Sequence, residues 1–206
     1  MDFTGFTHDD FDVFTIDGLD ARMDAIKGKI RPKLESLGDT FGPVLSVMAG
    51  DEMFVHVAKH ARRTVNPPKD TWVAFANNPR GYKMLPHFQI GLWETHLFIW
   101  FAVIYESPQK EKIGEAFEKH IDSLYSKIPG RFSWSSDHTK PGAVKHSELS
   151  KEDLAALFKR LKTVKKAEIL CGLQIDRDEV VKMGPSLLLK EIDNVFRKLL
   201  PLYKLS

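Results

Sequence analysis

The chain reads as an α+β protein: one domain, 1–206, in which a mainly antiparallel sheet of about five to seven strands carries about four helices. Three observations predict this. Apolar stripes of helical period open and close the chain. Four strand-like segments follow one another in its middle, and consecutive strands of that kind pair antiparallel. No internal repeat, low-complexity tract or linker divides it.

The elements follow in order. "FDVFTI" (11–16) reads as a first strand. A helix is expected from Leu19, with Asp17 as a plausible N-cap and Leu19, Met23, Ile26, Ile30, Leu34 and Leu37 on one face. Pro32 should kink or split it, and Gly38 could end it. Residues 41–49 are apolar without a clear period. "MFVHVAKH" (53–60) and "TWVAFA" (71–76) read as strands around a loop marked by Asn66-Pro67-Pro68. "LPHFQIGLWETHLFIWFAVIYE" (85–106) reads as a β-hairpin turning near Glu94-Thr95. Ser107-Pro108 should open a helix with Ile113, Phe117, Ile121 and Leu124 inward. "RFSWS" (131–135) suits a short strand, and 136–148 a polar loop. Ser150-x-x-Asp153 resembles a capping box ahead of a Leu154, Leu157, Phe158, Leu161 stripe. "EILCGLQI" (168–175) reads as another strand. Pro185 opens a last helix with Leu188, Ile192, Val195, Phe196 and Leu199 inside.

Composition sets limits on function. Hydrophobic residues make up 43% and charged residues 28%, which suits a soluble globular protein with a sizeable core. A net charge of +2 argues against a dedicated polyanion binder. The one cysteine, Cys171, excludes an internal disulfide framework and a cysteine-based zinc site, and it suits a reducing cytoplasm. "MDFTGFTHDDFD" lacks the basic and apolar regions of a signal peptide. No membrane partner is expected, because the longest apolar run, Leu97 to Tyr105, is far short of the ~18–20 residues that cross a bilayer.

The hairpin carries the first candidate site. A two- or four-residue loop at Glu94-Thr95 places His87, Gln89, Gly91, Trp93, His96, Phe98, Trp100 and Ala102 on one face. Phe88, Ile90, Leu92, Leu97, Ile99, Phe101 and Val103 take the other, which should be core. Imidazole, indole, amide and glycine together suit a ligand pocket: Trp93, Phe98 and Trp100 as walls, with His87, Gln89 and His96 orienting the guest. His56 and His60 share one side of the neighbouring strand if it stays extended. The plainer alternative is a face whose polar groups simply hydrogen-bond within the fold.

"KHARR" (59–63) is the densest cationic cluster outside the helices. His60, Arg62 and Arg63 could anchor an anionic group. Otherwise the cluster is a solvated strand end, or is paired with nearby carboxylates. The 136–148 loop holds Asp137, His138, Thr139, Lys140 and His146. An Asp–His pair there could orient a general base, although adjacent residues seldom point the right way, and an ordinary polar turn is the simpler account. No metal site is expected: His56 and His60 lie too far apart on a strand, and no H-E-x-x-H or H-x-H occurs. P-loop, G-x-G-x-x-G and G-x-S-x-G motifs are absent, and neither a cofactor nor a catalytic residue is singled out.

"AALFKRLKTVKK" (155–166) has five basic and no acidic residues. It could contact nucleic-acid phosphates, or merely offset a helix dipole. The first 24 residues hold seven Asp and one Arg, a segment able to compensate that stripe within the chain or across a dimer.

The chain resembles the YktB family of uncharacterised proteins of Bacillus and related Firmicutes. The resemblance rests on "DFDVFTIDGLDARMDAIK", "GDEMFVHVAKHARRTVNPPKDTWVAFANN", "LPHFQIGLWETH", "YESP", "DHTKP" and "KKAEILCG", spread over almost the whole chain. It implies a compact α+β fold, helices packed on a mainly antiparallel sheet, in a cytosolic bacterial protein. It carries over no catalytic residue.

Three functions therefore compete. The first is a protein, whether or not an enzyme, that binds a small anionic or aromatic ligand. The second is a nucleic-acid or protein interaction module using the basic patches. The third is a structural or regulatory protein without a pocket.

Overall fold

A computed structural model describes residues 3–206, so Met1 and Asp2, the start of the acidic segment, lie outside the described residues. One sheet organises the chain. Its strands are β1 (Phe54–Val57), β2 (Asp70–Ala76), β3 (His87–Trp93), β4 (His96–Val103), β5 (Ser133–Ser135), β6 (Val144–Lys145) and β7 (Ile169–Asp176). They lie in the order β1-β2-β3-β4-β7-β5-β6, every pairing antiparallel. The α+β reading holds.

The helices are α1 (His8–Asp12), α2 (Leu19–Ala25), α3 (Arg31–Ala49), α4 (Lys110–Lys119), α5 (Ile121–Lys127), α6 (Lys151–Thr163) and α7 (Arg177–Lys204). Their apolar stripes pack on one face of the sheet. Leu34, Leu37 and Phe41 of α3, Phe117 of α4, Phe158 of α6 and Phe196 of α7 join Phe75, Phe88, Ile99, Phe101 and Leu173 in one buried cluster. Each such side chain contributes about 1.5–3 kcal/mol through burial. Among the described residues no helix is long and apolar enough to cross a membrane.

Several elements depart from the sequence reading. "FDVFTI" is helical, not a strand: α1 is followed by a single 3-10 turn over Val13–Thr15. The Asp10 carboxylate accepts from the Thr7 amide at 2.7 Å and so starts a helix just upstream. Phe11 and Phe14 are both buried, three residues apart on that turn. Pro32 does not split the long helix. A π-turn over Ile26–Ile30 precedes it and absorbs the backbone bond that proline cannot donate. Nor does Gly38 end α3, which runs on to Ala49 and is capped by Gly50 in the left-handed conformation. Gly38 and Gly42 instead let α3 lie close on β1, since a Cβ at Gly38 would sit 2.5 Å from Val55 Cγ1.

Among the described residues the acidic N-terminal segment forms no ion pair with the 155–166 stripe in the same chain. Asp9, Asp10 and Asp12 pair with Lys29, Lys33 and Arg177. The expected capping box at Ser150 forms, the hydroxyl accepting from the Asp153 amide at 3.1 Å. Gly184, at φ 70° and ψ 165°, breaks α7 one residue before Pro185, where the sequence placed a helix start.

Candidate functional site

The β3–β4 turn is the two-residue loop Glu94-Thr95, and Gln89 pairs with Trp100 and Gly91 with Phe98. The sorting of the hairpin is therefore as the sequence predicts. Its mixed face extends across the sheet, because Trp72 lies opposite Gly91 and Gln174 opposite Phe98. Trp93, Phe98, Trp100, Ala102, Ile104 and Leu170 form a second buried cluster there, apart from the main core. Glycine is required where the strands pass these rings. A Cβ on Gly91 would lie 2.6 Å from the Thr71 carbonyl oxygen and 2.7 Å from Trp72 Cβ.

This face holds two spaces that share the Trp72 wall. The first is a narrow slot of about 20 Å³, lined by Asp70, Gln89, Trp93, Trp100, His138 and Gln174 among others. That is room for a single water. The loop 136–143 roofs it. The Gln174 amide ties the roof down by donating to the Pro141 carbonyl at 2.7 Å and to His96 Nε2 at 2.8 Å. Asp70 is desolvated here, and burial pushes its carboxyl up to about 6 against the pull of Arg63 and His138.

The second space is a groove of about 820 Å³ at the β1 edge. Its walls are the β1–β2 loop and a 3-10 turn over Tyr82–Met84, which Gly81 opens in the left-handed conformation. The Trp72 indole donates to the Tyr82 hydroxyl at 2.9 Å, and His56 stacks on the Tyr82 ring with centroids 5.0 Å apart. The His56 Nε2–H in turn donates to the Asn78 carbonyl at 2.9 Å. Burial and the Trp72 bond act oppositely on Tyr82; burial wins and pushes the phenol up to about 12. Arg22 anchors the β1–β2 loop from beneath, donating to the Ile16 and Pro68 carbonyls at 2.8 and 3.0 Å.

Four cations line this groove: Lys59, Arg62, Arg63 and Lys83. Among the described residues none of them has a carboxylate within ion-pairing distance, and Glu106 is the one acid in the lining. The Arg63 guanidinium donates to the Asn66 carbonyl at 3.3 Å, and its amide to the His60 carbonyl at 3.1 Å. Beside them His60 has φ 51°, the only left-handed non-glycine residue among those described. Its ring meets Trp72 edge-on and its Nε2 lies 3.1 Å from the Thr71 hydroxyl. Burial first, then Arg63, Arg31 and Lys83, lowers its imidazole to about 4, so it is neutral at pH 7.

The predicted site residues thus fall into separate places. His56, His60, Arg62 and Arg63 meet in the groove. Gln89, Trp93 and Trp100 line the slot. His87 is wholly buried between them: its Nδ1–H donates to the Leu85 carbonyl at 2.7 Å, and its Nε2 accepts from Gln89 at 2.8 Å. Burial lowers His87 to about 4, and it serves to hold the Gln89 amide. His96 lies toward the turn, bonded to the Thr95 hydroxyl and Gln174. It too is lowered by burial, to about 4.

Three participants were not found from the sequence. Tyr82 and Lys83 sit in "NNPRGYK" (77–83), which reads from the sequence only as a turn, and Glu168 as the first residue of a strand segment. The Glu168 carboxylate, 5% exposed, accepts from the His138 amide at 2.9 Å and from His138 Nδ1 at 2.8 Å. The partner that orients His138 is thus Glu168, not the adjacent Asp137. Asp137 instead accepts from the Thr139 hydroxyl and amide, which hold its carboxyl down at about 2, and meets Lys140 at 3.2 Å.

A sheet face that carries a hydrogen-bonded slot and an unpaired cationic groove is the feature around which relatives can be compared. A family model described as "Domain of unknown function (DUF1054)" matches residues 6–203. The chain belongs to that family, an uncharacterised one represented in Bacillus. A UPF0637 protein of Bacillus licheniformis is 62% identical over 98% of this chain and 95% of its own length. One of Bacillus velezensis is 59% identical over 98% and 96%, and one of Bacillus mycoides 56% identical over 97% and 96%.

Proposed function

We propose that the protein binds a small anionic ligand bearing a flat ring, in the groove between the β1–β2 loop and the Tyr82 turn. One observation carries this reading: Lys59, Arg62, Arg63 and Lys83 share a groove and, among the described residues, none of them forms an ion pair with a carboxylate. Cations left together in this way repel one another and favour an incoming anion. Arginine suits a phosphate or carboxylate because its fork donates two parallel hydrogen bonds. The ring has flat surfaces to meet in Tyr82, His56 and Trp72. The volume, about 820 Å³, lies within the ordinary range of small-molecule sites. The strained His60 backbone adds support, since such conformations concentrate at ligand clamps. The fully buried Cys171 thiol suits a cytoplasmic setting, where we place this binding.

Isothermal titration with phenyl phosphate and with inorganic phosphate tests the reading. Phenyl phosphate binds the wild type more tightly than phosphate, and Arg63→Ala weakens it by about tenfold or more, the worth of one charge-assisted hydrogen bond. Equal affinities in wild type and Arg63→Ala would remove the basis for the reading.

A further inference from the structure

We propose that Asp137, His138 and Glu168 form a binding site for one divalent transition-metal cation: Zn²⁺, Co²⁺ or Mn²⁺. The site is separate from the anion groove and does not rest on it. One donor atom from each of the three side chains lies within 4.8 Å of the others. A cation at their centre draws each donor to about 2.0–2.2 Å. The tightest pair is already nearly placed, with His138 Nδ1 at 2.8 and 2.9 Å from the two Glu168 oxygens.

The donor set selects the ion. Two carboxylates and one imidazole disfavour Mg²⁺ and Ca²⁺, which prefer all-oxygen shells. With no thiolate the site does not select for soft ions.

The surroundings point the same way. Glu168 is a buried carboxylate that, among the described residues, forms no ion pair with a Lys or Arg. Its donors are the His138 amide and ring and, at 3.5 Å, the Tyr105 amide. A buried anion of this kind is stabilised by a cation placed against it. Lys140 reaches only Asp137, and at 74% exposure its ammonium is free to leave when a metal arrives. The water-sized slot is lined by both Asp137 and His138. It has room for a metal-bound water as fourth ligand, with the Gln89 and Gln174 amides in the same lining as hydrogen-bond partners.

The test is calorimetric titration of the full, tag-free chain with Zn²⁺, Co²⁺ and Mn²⁺, together with the visible spectrum of the Co²⁺ complex. The expected result is saturable binding of one ion per chain. The affinity should fall at least about tenfold in His138→Ala, Glu168→Gln and Asp137→Asn, since even outer-shell losses cost that much, and the Co²⁺ bands should be lost. His120→Ala, at an exposed histidine elsewhere, leaves binding unchanged. Circular dichroism establishes that each variant is folded. Should Glu168→Gln fail to fold, Asp137→Asn, at a partly exposed position, decides the matter. Absence of saturable binding by all three ions overturns the proposal. So does an affinity that stays within about twofold of wild type in the folded ligand variants.

Discussion

The Trp72 indole N–H donates to the Tyr82 hydroxyl at 2.9 Å, and this bond joins the sheet floor to the groove wall. Trp72 belongs to β2 and lines both the slot and the groove. Tyr82 stands on a three-residue turn with His56 stacked on one side and His87 edge-on to its ring. Backbone bonds from the Met84 and Leu85 amides to the Gly81 and Tyr82 carbonyls close the turn, and the Trp72 bond ties it to the sheet.

Trp72→Phe keeps a ring but removes the donor. Unfolding stability falls by about 1 kcal/mol, the net worth of one hydrogen bond. Phenyl phosphate affinity falls as the turn loosens. Urea denaturation measures the first effect and calorimetry the second.

Acid should unfold the protein through its buried histidines. His60, His87 and His96 are each lowered from 6.5 to about 4 in the folded state. Between those values the unfolded chain binds protons that the folded chain refuses, so stability is full above about 6.5 and lost as pH falls toward 4. Asp70 opposes this. Its folded-state carboxyl is raised from 3.8 to about 6, so it favours folding at the acid end of that window and costs stability above 6. Asp70→Asn therefore stabilises the protein at pH 7 and does not at pH 4, while His87→Gln flattens the acid limb. Thermal melts across pH 4–8 would show both.

Two helical glycines should respond oppositely to alanine. Gly28, in the π-turn, has nothing within 4 Å of the place a Cβ would take, so Gly28→Ala stabilises by about 0.5–1 kcal/mol. Gly38→Ala drives its methyl into Val55 Cγ1 and pushes α3 off β1, at a cost of about 1–3 kcal/mol. Urea midpoints distinguish the two.

Cys171 faces the core from β7, wholly buried, and burial pushes its thiol well above the usual range. Thiol reagents should label it only as fast as the protein opens. Added urea below the midpoint should raise the rate in step with the unfolded population.

The hairpin was the most legible part of the sequence. Strict alternation over 87–103 decides which side chains share a face once the loop length is even, and the loop is two residues. "FDVFTI" misled because a short β-rich run lacks a decisive period, and Asp10 accepting from the Thr7 amide settled it as helix. Gly38 reads as a helix stop only if nothing needs its bare surface, and that need comes from Val55, 17 positions later in the chain. The cationic groove was half visible. "KHARR" stands out in the sequence, but its lack of carboxylate partners is a matter of space, as is the arrival of Tyr82 and Lys83 from another turn. Glu168 was invisible as a partner of His138 because 30 residues separate them and no spacing rule links a loop histidine to a distant strand end.

The most direct test of the anion groove is a two-dimensional amide and indole NMR titration with phenyl phosphate, the Trp72 indole resonance being assigned through Trp72→Phe. The account predicts saturable shifts of that indole and of the amides of His60, Arg62, Arg63 and Lys83, with the Trp134 indole, buried under the helical face, unmoved. Shifts that are absent at millimolar probe, or that fall on the 155–166 stripe and spare the groove, would contradict it.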